Sequence, residues 1–296
     1  MSIYRLFAAI WSRLSPYIKN DLFYLKVMYF FKTNGNMLNI TRPVTFTEKI
    51  QWLKLYDYKP KYSFMVDKIT AKEYVAKKIA KEFIIPTIGV WDSVEDIEWD
   101  KLPQKFVIKN SVGSGGYDVV ICKDKSTFDR KGAIKKLSST FNNHAFWYGR
   151  EKPYKNIKPR IIAEKLLENS YKSENFDLPD YKFYCFNGQP KYCQVIRNRS
   201  TKECIDFYDM DWNLMPFVGL NTSAGNCDSV AVKPKNLDVM IDIAAKLSVN
   251  IPFARIDLYN IDGVIYFGEI TFYPNSGFGT FRPESWNEKL GELIQI

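Results

Sequence analysis

Near the C-terminus the chain reads Ala254-Arg-Ile-Asp-Leu-Tyr-Asn-Ile-Asp-Gly-Val-Ile-Tyr-Phe-Gly-Glu-Ile-Thr271, with Arg255, Asp257 and Glu269 set among apolar residues. Two alternating runs on either side of Asn260 to Gly263 predict a β-hairpin. Its register decides the chemistry. A three-residue loop Ile261-Asp262-Gly263, with Gly263 left-handed, sets Asn260 against Val264 and Arg255 against Glu269, with Asp257 diagonal to Glu269 on the same face. A two-residue Asp262-Gly263 turn would send Glu269 to the other face, so the three-residue turn is the expectation. Two carboxylates and a guanidinium among Ile, Leu, Val and Phe are costly unless they hold an ion or one another. Such oxygen ligands suit Mg²⁺ bridging phosphates. A solvated polar face with an Arg–carboxylate pair is the alternative.

A second stretch, Lys105-Phe-Val-Ile-Lys109 followed by Asn-Ser-Val-Gly-Ser-Gly-Gly-Tyr-Asp118 and Val-Val-Ile-Cys-Lys123, reads as strand, glycine-rich loop and returning strand. Gly113, Gly115 and Gly116 free the backbone to aim N–H groups at an anion, and Lys109 ends the first strand beside the loop. This is a phosphate flap or an ordinary glycine-rich hairpin loop. No Gly-Lys-Ser/Thr follows, which excludes a Walker loop, and a strand rather than a helix comes next, which excludes a dinucleotide fingerprint. Farther on, Arg160 opens a short apolar strand that ends in Glu164 and Lys165. A hinge there could hold an adenine by backbone groups, with Glu168 on a ribose hydroxyl; an edge strand with exposed charges is the other reading.

The elements that must position these residues follow from periodicity. Thr45 or Thr47 caps a helix carrying Ile50 and Leu53, and Ala71 to Lys81 forms another, with Val75 and Ile79 on one face and lysines on the other. Lys68, at the start of that helix, reaches a phosphate or stands in solvent. Ile84 to Trp91 is a short buried strand, and Asp92 to Pro103 is an acidic, turn-rich connection suited to a lobe boundary. A helix spans 126–143 with Phe128, Ile134, Leu137 and Phe141 as its stripe. Asp177 to Val195 is a hairpin with Asn187-Gly188 at the tip, in which Lys182 points away from the face of Tyr181 and Phe183. Leu237 to Leu247 is an amphipathic helix leading into the 254–271 hairpin.

With 296 residues and 46% hydrophobic content the chain can bury a large core, and its length suggests two lobes. A net charge of +9 favours anionic partners. The five cysteines show no C-x-x-C spacing, so a reduced cytosolic compartment is the simplest account. His144 is the one histidine, which excludes a His-rich zinc site. Residues 1–32 lack a convincing signal peptide and an 18-residue apolar span, so the chain is expected to be soluble and cytoplasmic. Their aromatic and basic residues would either pack helices on the protein's own core or lay an amphipathic helix on an anionic membrane as a peripheral contact.

These pieces in this order resemble the ATP-grasp superfamily and, within it, the TupA-like branch associated with bacterial surface-polysaccharide loci. The resemblance runs from Thr45-Phe-Thr-Glu-Lys-Ile-Gln-Trp-Leu-Lys-Leu through Lys158-Pro-Arg-Ile-Ile-Ala-Glu to Gly268-Glu-Ile-Thr-Phe-Tyr-Pro-Asn-Ser-Gly-Phe. It implies an α+β fold in which two α+β lobes clamp ATP: a helical region over 1–99, a small lobe with the flap over 100–163 and a large lobe with the metal site over 164–296. It implies Lys109, Ser114, Gly115 and Gly116 over the phosphates. Glu164, Lys165, Leu167 and Glu168 would then line the adenine hinge, with Lys182 near the nucleotide. Asp257 and Glu269 would hold Mg²⁺, and Arg255 and Lys182 would act in catalysis. Many ATP-grasp enzymes carry Glu-x-Asn at the metal, whereas the last position here is Thr271, so either water or Asn275 completes the ligand set. The implied reaction joins a carboxylate to an amine through an acylphosphate, the acid being a uronic acid of a surface glycan or its precursor and the amine an amino acid or amino alcohol. Two other classes compete. Asp209-Met-Asp211 matches the D-x-D pattern of metal-dependent glycosyltransferases, and a non-catalytic module could use the positive charge on nucleic acid or membrane. The lysines are dispersed and no nucleic-acid motif is present, so no nucleic-acid partner is expected.

Overall fold

In the computed structural model, which describes residues 3–113, 116, 118–141, 145–168, 178–221 and 223–296, the N-terminal third is helical. Helix α1 (Ile3–Leu14) turns back into α2 (Asp21–Lys32), whose start is capped by Asn20 Oδ1 accepting from Phe23 N at 2.9 Å. Helix α3 (Phe46–Tyr56) begins with a capping box: Thr45 Oγ1 accepts from Glu48 N at 3.3 Å, and Glu48 Oε2 accepts from Thr45 N at 3.0 Å. Thr45 is therefore the cap, as one of the two expected choices. Helices α4 (Lys61–Val66) and α5 (Thr70–Lys78) follow.

Strands β1 (Thr87–Trp91), β2 (Phe106–Asn110) and β3 (Val120–Cys122), helices α6 (Arg130–Phe141) and α7 (Ala145–Gly149), and strand β4 (Ile161–Lys165) come next. The strands form an antiparallel four-stranded sheet in the order β1-β4-β2-β3. Phe106, Ile108, Ile161 and Ala163 pack there with Leu137 of α6 and Trp99. The strand ending in Glu164 is thus internal, and the edge-strand reading is corrected: pairing with both β1 and β2 buries it.

The larger sheet takes β5 (Asp180–Phe186), β6 (Gln189–Arg197), β7 (Cys204–Tyr208), β9 (Phe253–Ile261) and β10 (Val264–Thr271), in the order β10-β9-β5-β6-β7, all antiparallel. Strand β8 (Val218–Leu220) pairs with β11 (Thr280–Arg282), α8 (Leu237–Ser248) precedes β9, and α9 (Ser285–Glu292) closes the chain. Alternation sends Phe183, Cys185, Cys193, Val195, Ile256 and Leu258 to one face, where they share a core with Met240, Ile243, Ala244 and Leu247 of α8. Asn187 and Gly188, with φ of 50° and 81°, make the expected two-residue turn between β5 and β6.

Helix α5 ties the two sheets together. Ala71 and Val75 enter the large-sheet core, while Lys72 Nζ donates to Ile85 O and Thr87 Oγ1, each at 2.8 Å, at the start of β1. Just before β1, Ile84 also bridges to Phe267 of β10. The cysteine reading is corrected at one pair: Cys204, at the start of β7, forms a disulfide with Cys227, so those two are not free thiols. Cys122, Cys185 and Cys193 are free and buried. No helix among the described residues is long and apolar enough to cross a membrane.

Candidate active site

The hairpin builds its site by a route different from the expected one. Val264 pairs with Ile261, and Asp262 and Gly263, with φ of 54° and 91°, form a two-residue turn in place of the three-residue loop. Pairing then runs evenly to Phe267↔Leu258, where Gly268 is inserted as a bulge and the next pair is Glu269↔Asp257. A bulge adds one residue to one strand and so reverses the faces beyond it. It restores Glu269 to the face that the short turn would have taken it from. Asp257 is therefore directly opposite Glu269, not diagonal to it, and Arg255 faces Thr271. Any side chain at Gly268 would press on Asp257 O at 3.1 Å and the Tyr259 ring at 3.3 Å.

Register extends this polar row across four strands, as Glu269↔Asp257↔Lys182↔Gln194. Arg255 donates from Nε to Asp257 Oδ1 at 2.7 Å and from Nη2 to Asp257 Oδ2 at 2.8 Å, a bidentate pair. Nη2 also donates to Glu269 Oε1 at 2.9 Å and to Thr271 Oγ1 at 3.1 Å. Thr271 Oγ1 in turn donates to Glu269 Oε1 at 3.2 Å, so the residue standing where an asparagine was wanted orients the carboxylate. Lys182 Nζ holds Asp257 Oδ2 and lies 3.7 Å from Asp180, which Arg199 also holds at 2.6 Å.

Burial pushes the Asp257 carboxyl up against the pull of Arg255 and Lys182. At Glu269 the balance reverses: burial would raise it, but Lys68, Arg255 and Lys182 together hold it at about 2. Glu269 keeps 35% of its side chain in solvent, against 7% for Asp257. One carboxylate is thus sealed in a salt bridge, and the other is ionised and open to solvent.

The flap lies on the neighbouring sheet. Lys109, at the end of β2, places Nζ 2.6 Å from Glu164 Oε2, and Lys72 of α5 holds the other oxygen. Glu164 is buried, and burial would raise its carboxyl, but the two ammonium groups hold it below the usual range. Lys68 Nζ donates to Gly113 O, and Lys68 N donates to Ser111 O at 3.0 Å, which fastens the approach to α5 onto the base of the flap. Gly113 has no room for a Cβ because the Asp118 carboxylate fills that space and accepts from Asn110 N at 3.2 Å. Gly116 has φ of 74° and open space around it. Ser114 and Gly115 lie outside the described residues, as does His144.

Other expected residues are dispersed. The Lys165 backbone N–H donates to Pro86 O at 3.0 Å, Leu167 is half-buried, and Glu168 pairs with Lys105 at 2.7 Å. Asn275, with φ of 48°, donates its amide to Leu220 O at 3.1 Å and makes no hydrogen bond to Asp257 or Glu269 among the described residues. Asp209 accepts from Asp211 N at 3.0 Å, Asn213 N at 2.8 Å and Asn213 Nδ2 at 2.9 Å, so the D-x-D triplet is a turn whose first carboxylate is committed to the backbone. Lys72 was hidden by the reading of α5 lysines as a solvated face. The signal lay in its spacing of three and seven from Val75 and Ile79, which sets it on the apolar stripe.

The donor set fits Mg²⁺ in the way that one or two carboxylates plus phosphate oxygens bind it: two adjacent carboxylates, one of them ionised and exposed. Among the described residues no cluster of three or more acidic, histidine or cysteine ligands exists, so phosphate oxygens or water must supply the remaining positions.

The profile of the TupA-like ATP-grasp family matches residues 48–295. Among solved structures the chain is similar to D-alanine–D-alanine ligase from Bacillus anthracis, at 16% identity over 77% of this chain and 65% of that one, with a TM-score of 0.44. It is similar to the D-alanine–D-alanine ligase from Helicobacter pylori at 14% identity, over 84% and 69% of the two chains, with a TM-score of 0.41. It is also similar to an ADP complex of N5-carboxyaminoimidazole ribonucleotide synthetase at 13% identity, with 76% and 50% covered and a TM-score of 0.42. The chain thus spans about two-thirds or less of the first of these and half of the last. No curated protein matches the sequence. The family profile covers most of the chain, including both the flap and the carboxylate hairpin, and the chain belongs to the TupA-like ATP-grasp family.

Proposed function

We propose that the protein is an ADP-forming, ATP-dependent carboxylate–amine ligase, with ATP held between the small lobe over 100–163 and the large lobe over 164–296. The observation that carries the reading is Lys68. Its ammonium holds the Gly113 carbonyl at the glycine-rich loop and, together with Arg255, which donates to Glu269 Oε1 at 2.9 Å, lowers the Glu269 carboxyl, which supports a phosphate-facing cation and a metal-facing oxygen serving one nucleotide. Lys72 and Lys109 share the single carboxylate of Glu164, which leaves surplus positive charge for a polyphosphate. Mg²⁺ held by Asp257 and Glu269 would neutralise charge on the transferring phosphoryl group.

In this reaction an acid's carboxylate oxygen forms a bond to the γ-phosphorus as the bond to the ADP oxygen breaks. An amine then attacks the acyl carbon, phosphate leaves, and the amine gives up a proton. Arg255 and Lys182 stand beside Asp257, where they stabilise developing negative charge. Backbone groups near Glu164 and Lys165, with Leu167, would line the adenine, and Glu168 would take the ribose. Asn275 or a water would complete the metal ligands. The basic surface suits an acidic acceptor, and we assign a uronic acid of a surface polysaccharide or its precursor, with an amino acid or amino alcohol as the amine, in the cytoplasm.

The test is release of ADP and phosphate from ATP, screened against uronic acids and amines in pairs. Activity that yields AMP, or that needs no carboxylate, would exclude the acylphosphate route. Asp257→Ala should abolish activity and Asp209→Ala should spare it; the reverse would identify a sugar-nucleotide-dependent transferase.

A further inference from the structure

Helix α1 has an apolar surface wider than its packing needs. At about 100° per residue, Ile3, Leu6, Phe7, Ile10 and Leu14 fall within an arc of roughly 100°. These five are each 44–64% exposed. The helix's contact with α2 is carried mainly by the other side, where Ala8 is buried and Trp11 stacks on Tyr24 at 6.0 Å; of the stripe, Phe7 at its edge also stacks on Phe31 of α2 at 5.6 Å. Isolated exposed apolar residues are ordinary, but a contiguous stripe of this kind marks a surface that meets something else. Tyr17 and Phe23, 83% and 53% exposed, continue the apolar surface into the turn and the start of α2.

The charges around the stripe are of one sign. From residue 3 to residue 20 the chain carries Arg5, Arg13 and Lys19 and no Asp or Glu. The first acidic residue, Asp21, faces Arg150 at 3.4 Å. Arg13 is exposed at one border of the stripe, about 20° beyond Leu6, and Arg5 is exposed about 100° from that border on the same flank, with Lys19 and Lys26 exposed beyond the helix. A second copy packing helix to helix would bring these cations together with no acid in α1 to answer them. An anionic lipid surface answers both features: acyl chains take the apolar stripe, and headgroup phosphates take the border cations. Aromatic side chains at the margin suit the headgroup level.

We infer that α1 docks the protein onto an anionic membrane surface, lying in the interface with Ile3, Leu6, Phe7, Ile10 and Leu14 inserted. The contact is peripheral, because α1 is 12 residues long and too short to span. It rests on α1 and its flanks alone, far in sequence from the residues that carry the ligase reading, so each stands or falls separately.

The experiment is co-sedimentation of the full chain with vesicles of phosphatidylcholine alone and of phosphatidylcholine with about one-third phosphatidylglycerol. Binding to the anionic vesicles should exceed binding to neutral ones roughly tenfold and weaken as salt rises. The double variant Leu6→Glu, Ile10→Glu should lose about tenfold or more in affinity, and Arg5→Glu with Arg13→Glu should lose the preference for anionic lipid. All four positions are exposed, so circular dichroism and the thermal transition should match the parent. No binding to anionic vesicles, or binding unchanged in both variants, overturns the inference. So does a sedimentation result in which the parent is a dimer and the Leu6→Glu, Ile10→Glu variant a monomer, without lipid binding in either.

Discussion

Two carboxylate clusters, one on each sheet, are balanced in opposite ways. On the small sheet one carboxylate, Glu164, sits between Lys72 and Lys109. On the large sheet two carboxylates, Asp257 and Glu269, share Arg255 and Lys182. The first cluster keeps a surplus of positive charge, and the second comes out even. A polyphosphate adds charge the first can accept, while a divalent cation is welcome at the second mainly where Glu269 opens to solvent. On the proposed reading the first sheet would meet an anion and the second the cation that accompanies it.

The contrast breaks most sharply in activity. Glu269→Gln and Lys109→Ala should each lower ATP turnover by about a hundredfold or more while the fold persists, because one removes the open carboxylate and the other the flap cation. Near-normal ADP release by both would remove the functional reading of both clusters. Stability should separate the two carboxylates of the large sheet. Asp257→Ala removes the bidentate partner of the buried Arg255 and the nearest carboxylate of Lys182, leaving them only Glu269 and Asp180, and should cost about 3 kcal/mol in urea unfolding. Glu269→Ala, at the exposed end, should cost about 1 kcal/mol or less. Equal losses would mean that the two are equally enclosed.

A third prediction concerns a buried lysine outside both clusters. Lys54 is fully buried, with Nζ on Ser276 O at 2.6 Å and Gln51 Oε1 at 3.1 Å, and burial lowers it from 10.5 to about 7. Between those values the unfolded chain holds a proton that the folded chain has released, so stability should rise with pH from about 7 to about 10. Lys54→Met should flatten that rise in denaturation midpoints measured across the range. The smallest effect belongs to the exposed pair Lys105–Glu168. Glu168→Ala should change stability by under about 1 kcal/mol, and a rise in the KM for ATP would be the mark of its ribose role.

Much of this was legible because local rules and long-range packing agree. The Thr45 cap, the Asn187-Gly188 turn and the face of Lys182 follow from residues adjacent in sequence, and each stands as read. The site carboxylates were legible too, since charged residues in a largely apolar hairpin are costly without a partner. What was not legible depended on neighbours distant in the chain. Lys72 meets Glu164 across 92 positions, and Cys204 meets Cys227 across a loop whose closure no spacing rule announces. For β4 an edge strand stayed open beside the hinge because its charges gave no sign that Lys72 and Lys109 would enclose one of them. The turn was misjudged because face and loop length were treated as one unknown, when Gly268 supplies a second.

That bulge makes the hairpin's tip and its site separately adjustable. A residue added within the turn leaves Val264 opposite Ile261, and deleting Gly268 leaves Phe267 opposite Leu258 and Glu269 opposite Asp257; only regular pairing of Gly268 itself, which would set Glu269 against Ile256, would turn that carboxylate toward the core.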